Sequence, residues 1–495
     1  MKTVSLCFLI CFLPSLLFAG DYNVLDFGAK PDGRTLNTQA IQAAIDQAVA
    51  DGGGRVVLPA GRYLSGSIIL GSGVELHLSK KAVLLGSSQP ADYVKLNRWK
   101  ALIMADSATD IAVTGQGVVD GQGQALALHL DSLFYIGQLD SANYVFPEKR
   151  PRVTVRPQVI EFVNCQRVKV SGITIKNGAS WVQSYYMCRQ LEIDKIRVES
   201  DTYWNNDGID IIDCQQVRIT GSYFNASDDG ICLKSYGRTR HGRPICDSLY
   251  IADCVVRSSA SAVKFGTASF GGFKNVVIER IKVYDTFRSA IAIESYGNGV
   301  LENILVQDIK AFNTGNAIFV RIGQRHKHLP AGILRNVIIR NVKVRVPFGP
   351  ADEAYEIRGP ELPFFHNVFP SSITGLPNQP VENLHLENID ISYPGRGNKA
   401  YAQLPLSRLD DVPEKAAQYP EFSMFGELPA WGFYVRHVDG LTLKNVRVRI
   451  RKPDFRPAFV FDDVKGLNIQ SIEVLGDSKA KTLHFHNTEP APADK

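Results

Sequence analysis

Residues 336–344 read Asn-Val-Ile-Ile-Arg-Asn-Val-Lys-Val, and similar phrases recur along the chain. In each phrase apolar and polar residues alternate over four to five positions, which is typical of a strand with one buried face. The short break between the two halves of the phrase predicts a corner between two strands. Related phrases begin at Asn275, Asn303, Asn383 and Gly440, and earlier copies are centred near Val168, Leu191 and Val217.

The spacing of the copies predicts how the strands are arranged. Val168, Leu191 and Val217 are 23 and 26 residues apart, and Val276 and Ile304 are 28 residues apart. These steps are too short for a propeller blade, and the phrases lack a helical period. Because a single coil cannot bury its own inner face, coils of this length must stack on one another. The sequence therefore predicts an all-β fold, a single-stranded, right-handed parallel β-helix.

The composition agrees with one large domain. The chain has 495 residues, and 45% of them are apolar, which is ample material for a large core. A solenoid core grows in one dimension, so a single elongated domain of this length is expected. The formal net charge of +5 is mild, and Lys and Arg fall at the polar positions of the strands, as on a solvated outer face. Because no basic run with interleaved aromatic residues is visible, we expect no nucleic-acid partner.

The beginning of the chain predicts a secretory signal peptide. Lys2 is followed by an apolar run from Val4 to Phe18. About fifteen apolar residues are few for a membrane span, and a membrane anchor is the alternative. We assign residues 1–20 to the signal and residues 21–495 to the β-helix. After signal removal we expect a monomer in the periplasm or outside the cell, without membrane contact.

A helix near the N-terminus and three interruptions of the repeat complete the organisation. Thr38 is the expected N-cap of an amphipathic helix that ends at Gly52-Gly53-Gly54. Such a capping helix would cover the open strand edges of the first coil. Inserted loops are expected near 120–157, 346–380 and 394–432, and insertions of this length are more often functional than idle.

The third insertion, near 394–432, is rich in aromatic residues. Two roles are open for these rings: they line the rim of a cleft and stack on sugar rings, or they pack the insertion onto the solenoid. The residues concerned are Tyr401, Tyr419, Phe422, Phe425 and Trp431.

The cysteines after the signal segment fall into two groups. Cys165, Cys188 and Cys214 each precede a strand centre by three residues, so they should stack on successive coils as buried free thiols. Cys232 and Cys246 bracket an Arg-rich loop and are the candidates for a disulfide in an oxidising compartment.

Three carboxylates are spaced by about one coil. Asp207 lies in Asn206-Asp207-Gly208, and 21 residues later Asp228 and Asp229 lie side by side. Mutual repulsion between stacked carboxylates raises the proton affinity of at least one of them, while the others stay ionised. A protonated and an ionised carboxyl with room for a water between them are the catalytic groups of an inverting glycosidase. A calcium site, or Asp turns at the coil corners, are the alternatives.

With these motifs the chain resembles glycoside hydrolase family 28, the polygalacturonase family of pectin-degrading β-helices. Asn206-Asp207-Gly208 is similar to the family's Asn-Thr-Asp element, and Ser227-Asp228-Asp229 is similar to its paired Asp. The resemblance implies a pectin-lyase-like β-helix that hydrolyses α-glycosidic bonds of pectic polysaccharide or oligosaccharide with inversion, without a cofactor or metal. It also implies that Asp228 is the proton donor and that Asp207 and Asp229 activate the attacking water.

Two elements of the family are altered in this chain. Residues 259–266 contain no His where the family has Gly-His-Gly, and residues 290–295 lack the Arg-Ile-Lys element that binds the galacturonate carboxylate. These departures leave the sugar undetermined, while the long insertions favour exo action on short fragments. The predicted substrate contacts are Asn206, Lys264, Arg321, Arg325, Glu294 and Trp431.

The predicted contacts point to different sugars. Lys264, Arg321 and Arg325 offer cations for a uronate carboxylate, and the Arg fork suits that group well. Glu294 instead favours the hydroxyls of a neutral sugar. For Lys264, an outward polar position on a strand is an equally good interpretation.

Two other functions fit the same scaffold. A polysaccharide lyase would use an Arg or Lys base, and usually calcium, to remove the proton beside a uronate. A glycan-binding β-helix without catalysis is the second alternative, and the missing His favours it.

Overall fold

The computed structural model describes residues 20–237, 245–359, 369–397, 405–477 and 482–490. In this part of the chain, parallel strands stack as the coils of one solenoid, and each coil contributes in turn to three sheets. We call them the first, second and third sheets. The predicted all-β, right-handed parallel β-helix is confirmed. The predicted signal segment lies outside the described residues, apart from Gly20.

The strands are grouped here by sheet. The first sheet contains Asp21–Asn23, Gly54–Leu58, Val74–Leu78, Thr109–Gly115, Gln166–Ser171, Arg189–Asp194, Gln215–Thr220, Cys246–Ala252 and Gly272–Glu279. The second contains Asp32–Leu36, Gly61–Ser65, Ala82–Gly86, Val118–Asp120, Thr174–Lys176, Arg197–Ser200, Tyr223–Ala226, Val255–Ser258 and Ile472–Leu475. The third contains Ile68–Ile69, Ala101–Asp106, Gln158–Val163, Gln183–Tyr186, Ile209–Ile212, Ile231–Ser235, Val263–Ser269, Ser371–Thr374 and Leu483–His486. Strands that bend from one sheet into the next are Lys282–Ser295, Val300–Ile322, Ile333–Arg345, Val381–Tyr393, Phe433–Ile450 and Phe459–Ile469.

The recurring phrase sets the register between coils. Val168 aligns with Leu191, and Leu191 aligns with Val217, all three facing the core. Many corners contain a residue in the left-handed conformation, such as Asn341 with φ 55°. Asn tolerates this region better than most residues, because its short side chain bonds locally. The Nδ2 of Asn388 donates to the Oδ1 of Asn341 at 2.9 Å, so the corner amides form a ladder along the solenoid.

Helix α1 (Thr38–Ala50) covers the N-terminal end of the solenoid. The side chain of Gln42 accepts from the N–H of Ile69 at 2.8 Å and donates to its carbonyl at 3.0 Å, which satisfies an open strand edge. One detail of the prediction is wrong. The N-cap is Asn37 rather than Thr38, and the Asn37 side chain bonds the preceding loop instead of the helix.

Irregular segments interrupt the coils in the predicted regions. Helix α2 (Gly123–Tyr135) and an antiparallel pair, Tyr144–Val145 with Arg150–Pro151, lie in the first insertion. The region near 346–380 encloses strand Ser371–Thr374 of the third sheet, because its alternating side chains fit that sheet. Short 3₁₀ helices are Val24–Phe27, Pro90–Asp92, Ser141–Asn143, Phe146–Glu148, Val153–Val155 and Leu406–Asp411. Within the described ranges, no helix has the length and apolar character needed to cross a bilayer.

The cysteines of the described residues are all buried and free. Cys165, Cys188 and Cys214 lie in the core as predicted. The predicted disulfide between Cys232 and Cys246 is wrong. The Cys246 thiol belongs to the core, whereas the Cys232 thiol approaches Asp229 Oδ2 at 3.8 Å on the outer face of the third sheet. Because neighbouring side chains of a sheet point to opposite faces, the two sulfurs are kept apart.

Reducing agent is therefore expected to leave the thermal stability of the folded protein unchanged. Because Cys232 and Cys246 are free thiols, reduction breaks no cross-link between them. The conformational entropy of the unfolded chain therefore stays the same. The check is a pair of melting curves with and without dithiothreitol, with a free-thiol titration of the unfolded protein as control. A clear fall in melting temperature under reduction would contradict the assignment.

Candidate active site

The three predicted acids meet at one corner of the solenoid, where the second sheet turns into the third. Asp207 lies just before strand Ile209–Ile212, and Asp228 and Asp229 lie just before Ile231–Ser235 on the next coil. The N–H of Gly208 donates to the carbonyl of Asp229 at 2.8 Å, which links the two turns directly. The prediction from their spacing, that these turns stack, agrees with the structure.

Glycine is required at this corner because the coils approach closely. A Cβ on Gly208 would lie 2.6 Å from the carbonyl oxygen of Gly230, which no real side chain could occupy without a backbone shift. Asn206 fixes the same turn from within. Its Nδ2 donates to the carbonyl of Ser180 at 2.9 Å, and its Oδ1 accepts from Ser200 at 2.8 Å. The amide is fully buried, so Asn206 shapes the wall of the site rather than facing a ligand.

Two buried lysines hold two of the three carboxylates. Lys234 Nζ lies 2.7 Å from Asp207 Oδ2 and also pairs with Asp210. Lys264 Nζ lies 2.9 Å from Asp229 Oδ2. Both lysines are buried on neighbouring strands of the third sheet, Lys234 against the Trp181 ring and Lys264 against Tyr419. Buried charges require partners of this kind, so each lysine fixes the carboxylate that it contacts.

Burial and neighbouring charges separate the proton affinities of the acids. Burial, together with Asp210, raises the pKa of Asp207 well above its usual range, and the shared Lys234 only partly opposes this. Burial also acts on Asp229, but Lys264, Arg288 and Lys234 outweigh it, so the pKa of Asp229 is lowered. One carboxylate of the corner is therefore held ionised, while another favours its protonated form, which is the difference that acid–base chemistry needs.

The third carboxylate, Asp228, is the most accessible of the three. Its Oδ1 accepts the N–H of Asp229 at 2.9 Å, and its Oδ2 is 3.4 Å from Asn205 Nδ2. Beside it, the ring of Trp204 is 40% exposed, and the Arg150 guanidinium lies 4.9 Å from the centre of that ring. An exposed indole next to the acids provides a surface for a sugar ring.

The insertion before strand Phe433–Ile450 closes one side of this corner. Tyr419 Oη accepts from Lys264 Nζ at 2.9 Å, and Glu421 lies 3.5 Å from Arg288 Nε. A second apolar cluster anchors the insertion on the outer face of the third sheet. It contains Phe319, Phe369, Leu409, Val412, Phe422, Met424, Phe425, Leu428, Ala430, Tyr434 and Val460. The aromatic residues of this insertion thus mainly pack it onto the solenoid, and Tyr419 alone among those described is exposed, at 47%.

On the opposite side of the corner, the outer face of the third sheet carries aromatic and basic side chains. The Trp181 ring lies 4.0 Å from Lys234 Nζ, and Arg98 lies 4.0 Å from the centre of the Tyr236 ring. Lys95 and Tyr186 line the same groove. The three acids do not line this groove themselves, so these flat rings and cations lie farther along the same sheet face.

The structure separates the predicted substrate contacts. Lys264 lies in the site, and Glu294 is buried nearby, where burial raises its pKa to about 7 although Lys264 opposes this. Arg321 is fully buried under the insertion and donates to the carbonyls of Gly375 and Glu414, which leaves it away from the open groove. The prediction of a substrate contact for Arg321 is therefore unsupported by its position.

Two further predicted contacts lie apart from the acids. Trp431 is 2% exposed and packs edge-on against Tyr393 in the solenoid core, so it presents no face to a sugar. Its prediction as a stacking residue is wrong, because the ring belongs to the interior side of the coil. Arg325 is exposed on a loop beyond Arg321, and the described contacts do not link it to the acids.

Several residues of the site were missed by the sequence analysis. Lys234 carries the same signal as Lys264, a lysine inside an otherwise apolar strand, and Trp204 stands directly before Asn205 and Asn206. Arg288 had no such signal, and Tyr419 was named only among the aromatic residues of the third insertion. The contact of Tyr419 with Lys264 depends on how a distant insertion folds back, and no local pattern reports that.

The acids also form the one group of possible metal ligands found among the described residues. Oxygens of Asp207 and Asp229 and the Cys232 sulfur lie within 4.8 Å of one another. Calcium takes six to eight oxygen ligands, and a buried thiol does not suit it. Lys234 and Lys264 already lie 2.7 Å and 2.9 Å from oxygens of Asp207 and Asp229, so a metal cation would meet repulsion at close range.

A parallel β-helix with a carboxylate cluster at the corner of a ring-lined groove defines the class of carbohydrate-active β-helical enzymes. The family model described as Glycosyl hydrolases family 28 matches residues 53–246, a segment that contains all three acids. A probable polygalacturonase of Vitis vinifera is 25% identical over 342 residues, which are 65% of this chain and 60% of that protein. An exopolygalacturonase of Zea mays is 24% identical over 297 residues, which are 54% of this chain and 68% of that protein.

The solved structures agree on the fold. The hyperthermoactive exopolygalacturonase from Thermotoga maritima covers 75% of this chain and 87% of its own with a TM-score of 0.58 at 24% identity. The resemblance to glycoside hydrolase family 28 is confirmed over residues 53–246, and the chain is similar to polygalacturonases. The chain spans about 60% of the length of the grapevine relative, so the activity of the whole protein is a separate question.

Proposed function

We propose that the protein is a secreted, inverting glycoside hydrolase that removes sugars from one end of pectic chains. The observation that carries this proposal is the meeting of Asp207, Asp228 and Asp229 at one corner, two of them paired with buried lysines. This arrangement supplies separate acid and base groups on one wall of a groove that has sugar-stacking rings.

Asp228 is the proposed proton donor. It is the most exposed of the three, and within the described residues no ammonium or guanidinium lies within 4 Å of its carboxylate. Its carboxylate is therefore free to face a glycosidic oxygen in the groove. Its proton passes to the glycosidic oxygen as the bond between that oxygen and the anomeric carbon breaks.

Asp229 is the proposed base. The cations around it keep it ionised, so it can take a proton from the water that attacks the anomeric carbon from the opposite face. Asp207, which shares Lys234 with Asp210, holds the same water by hydrogen bonding. Water attack on the opposite face produces inversion. The protons balance because Asp228 gives one to the glycosidic oxygen while Asp229 takes one from the attacking water.

Exo action is supported by the insertion that closes one side of the site. Tyr419 and Glu421 contact the cations next to the acids, and the rings behind them cover the outer face of the third sheet. A polymer chain that enters the groove would have to end at this wall. The named activities of the maize and Thermotoga relatives, both exopolygalacturonases, are consistent with this mode.

A uronate substrate is supported by the cations of the groove and by the relatives. Lys95 and Arg98 line its open side, and Arg288 lies near Asp228 and Asp229. A neutral sugar would leave these cations without a matching charge. Homogalacturonan and its oligosaccharides are therefore the first substrates to be tested.

The experiment is a timed digest of hexagalacturonate labelled at its reducing end, with galactan and rhamnogalacturonan in parallel. We expect labelled oligomers that shorten stepwise from the other end, and proton NMR should show that the first free sugar has the inverted anomeric configuration. A mixture of intermediate sizes at early times would refute exo action.

The same digest separates the other functions. Unsaturated products that absorb in the ultraviolet and disappear with a chelator would identify a lyase. Binding of the oligomers without new reducing ends would identify a non-catalytic glycan-binding protein. Secretion and a monomeric state stay predictions from the sequence.

A further inference from the structure

A ladder of basic side chains runs along the outer face of the second sheet, away from the acids. In one column, Lys310, Lys343, Asp390 and Arg447 follow one another on successive coils. In the neighbouring column the order is Phe312, Arg345, Ser392 and Arg449. The two columns and Arg451 line one open groove. Because stacked coils are about 4.8 Å apart, the cations of the ladder repeat at nearly regular intervals.

The cations of this ladder are largely without protein partners. Among the described residues, Lys310, Lys343, Arg345 and Arg449 have no carboxylate within 4 Å, and of the ladder's side chains only Arg447 forms a salt bridge, with Glu473. Within the described ranges, Asp390 is the only acid that lines the groove. Arg345 and Arg451 are close enough that burial and the Arg345 charge lower the pKa of Arg451. An anion placed between them would relieve this repulsion.

An exposed aromatic ring stands at one end of the groove. Phe312 is 56% exposed, and its ring lies parallel to that of Tyr284 with centres 5.7 Å apart. Among the described residues, Tyr284 is its one ring neighbour, and the rest of this large apolar ring is open to solvent. Flat rings of this kind stack on the apolar face of a sugar.

The groove is separate from the site that contains the acids. It begins three coils beyond the coil of Asp228, and the segment after Arg345 lies over the ridge between the two places. There the carbonyl of Ala351 accepts from Asn313 Nδ2 at 3.1 Å, and Tyr355 packs on Arg257. A polymer in the groove would therefore occupy a second surface rather than extend the first.

We propose that this groove binds linear acidic polysaccharide, so that the protein holds a long polyuronate chain at a second, non-catalytic surface. The inference depends on the proposed function for the choice of polyuronate. Such a polymer carries one carboxylate per ring, which can pair with the cations on three of the ladder's four coils, and its rings can stack on Phe312. Double-stranded nucleic acid shares the charge but offers no sugar face to the aromatic ring.

The test uses a double variant, Arg345→Ser with Arg449→Ser, which extends the natural Ser392 along the same column. The control, Lys80→Ser with Lys465→Ser, removes two exposed charges elsewhere. Both are made in the full chain with and without Asp228→Asn, and melting curves confirm the fold. Calorimetric titration of the Asp228→Asn forms with long polygalacturonate should show about tenfold weaker binding and a shallower salt dependence for the ladder variant only.

Hydrolysis of trigalacturonate by the forms that keep Asp228 should be the same in both doubles, because the ladder is remote from the acids. Equal polymer affinity in the two doubles would overturn the proposal. So would binding of double-stranded DNA as tight as that of polygalacturonate and lost in parallel, which would show a nonspecific polyanion surface. If no substrate is hydrolysed but the ladder variant alone loses polymer binding, the groove stands and the proposed hydrolysis fails.

Discussion

Replacement of Asp228 by Asn is expected to abolish turnover while the fold and most substrate binding are retained. The amide is nearly isosteric and its Oδ1 keeps the hydrogen bond from Asp229 N, whereas its Nδ2 gives up the long contact from Asn205 Nδ2. It has no acidic proton for the leaving oxygen. A general acid contributes about 10²- to 10⁴-fold, so kcat should fall by about 10³-fold with little change in KM. Initial rates on trigalacturonate, with melting curves and a binding titration, measure the three quantities.

The matched variant for this prediction is Asp207→Asn. The raised pKa of Asp207 makes it the other group on which a proton could reside, whereas the proposal gives it the task of holding water. If Asp228→Asn retained near-normal activity while Asp207→Asn were inactive, the roles of donor and water-binding group would have to be exchanged. If both were active, the hydrolytic corner itself would be refuted.

A substrate whose leaving group needs no proton tests directly whether Asp228 is the proton donor. An activated aryl glycoside of galacturonate departs without protonation, so its hydrolysis should depend weakly on Asp228 but strongly on the base Asp229. Asp229→Asn should therefore lose both substrates, while Asp228→Asn should recover part of its rate on the activated one. The contrast distinguishes an acid from a residue that only maintains the shape of the corner.

The fold could be predicted from sequence because each coil repeats the same local pattern. Apolar residues such as Val168, Leu191 and Val217 alternate within their strands, and the spacing of the copies alone fixes their stacking. The acids followed from the same register, since Asp207 and Asp228 are separated by about one coil. In a repeat fold, residues one coil apart in sequence therefore become neighbours in space. In folds without a sequence repeat, the spacing of residues seldom predicts such contacts.

The rest of the site was beyond such reasoning because it depends on side-chain direction and on insertions. Trp431 is predicted as a sugar-stacking residue from its type, yet its ring lies in the solenoid core just before strand Phe433–Ile450. Cys232 and Cys246 were paired by proximity in sequence, although they face opposite sides of the wall. Tyr419 reaches Lys264 from 155 residues away, and its loop has no repeat to fix its position.

The basic ladder is a surface that the sequence alone does not reveal, although the stacking of coils creates it. A search of the sequence for a continuous basic run found none, because Lys310, Lys343 and Arg447 lie on separate strands. Stacking brings them into one column. In a solenoid, a charged surface is therefore found by comparing stacked positions on successive coils. Consecutive residues of the sequence do not show it.

Lys264→Met is expected to produce the second large effect, on both stability and activity. The variant removes the ammonium that lies 2.9 Å from Asp229 Oδ2 and leaves a buried carboxylate without its main partner. Breaking a buried ion pair in this way costs about 3 to 5 kcal/mol. The free energy of unfolding, measured by urea titration at pH 7, should fall by that amount.

The effect on activity follows from the proton affinity of Asp229. With Lys264 absent, burial is no longer outweighed, so the pKa of Asp229 rises and the base is protonated over a wider range of pH. The acid limb of the kcat/KM profile should move to higher pH, because the carboxyl must lose its proton before it can activate water. At neutral pH the loss should be about 10²-fold, with partial recovery on the alkaline side.

Two variants separate this electrostatic role from simple packing. Lys274→Met removes an exposed lysine that pairs with Glu302 at 3.1 Å on the first sheet, and it should leave both stability and the pH profile nearly unchanged. Tyr419→Phe removes only the hydroxyl that accepts from Lys264, so the ion pair stays and the acid limb should stay with it. A Lys264→Met enzyme whose rate falls without any movement of the acid limb would mean that the lysine supports the shape of the corner and does not set the ionisation of Asp229.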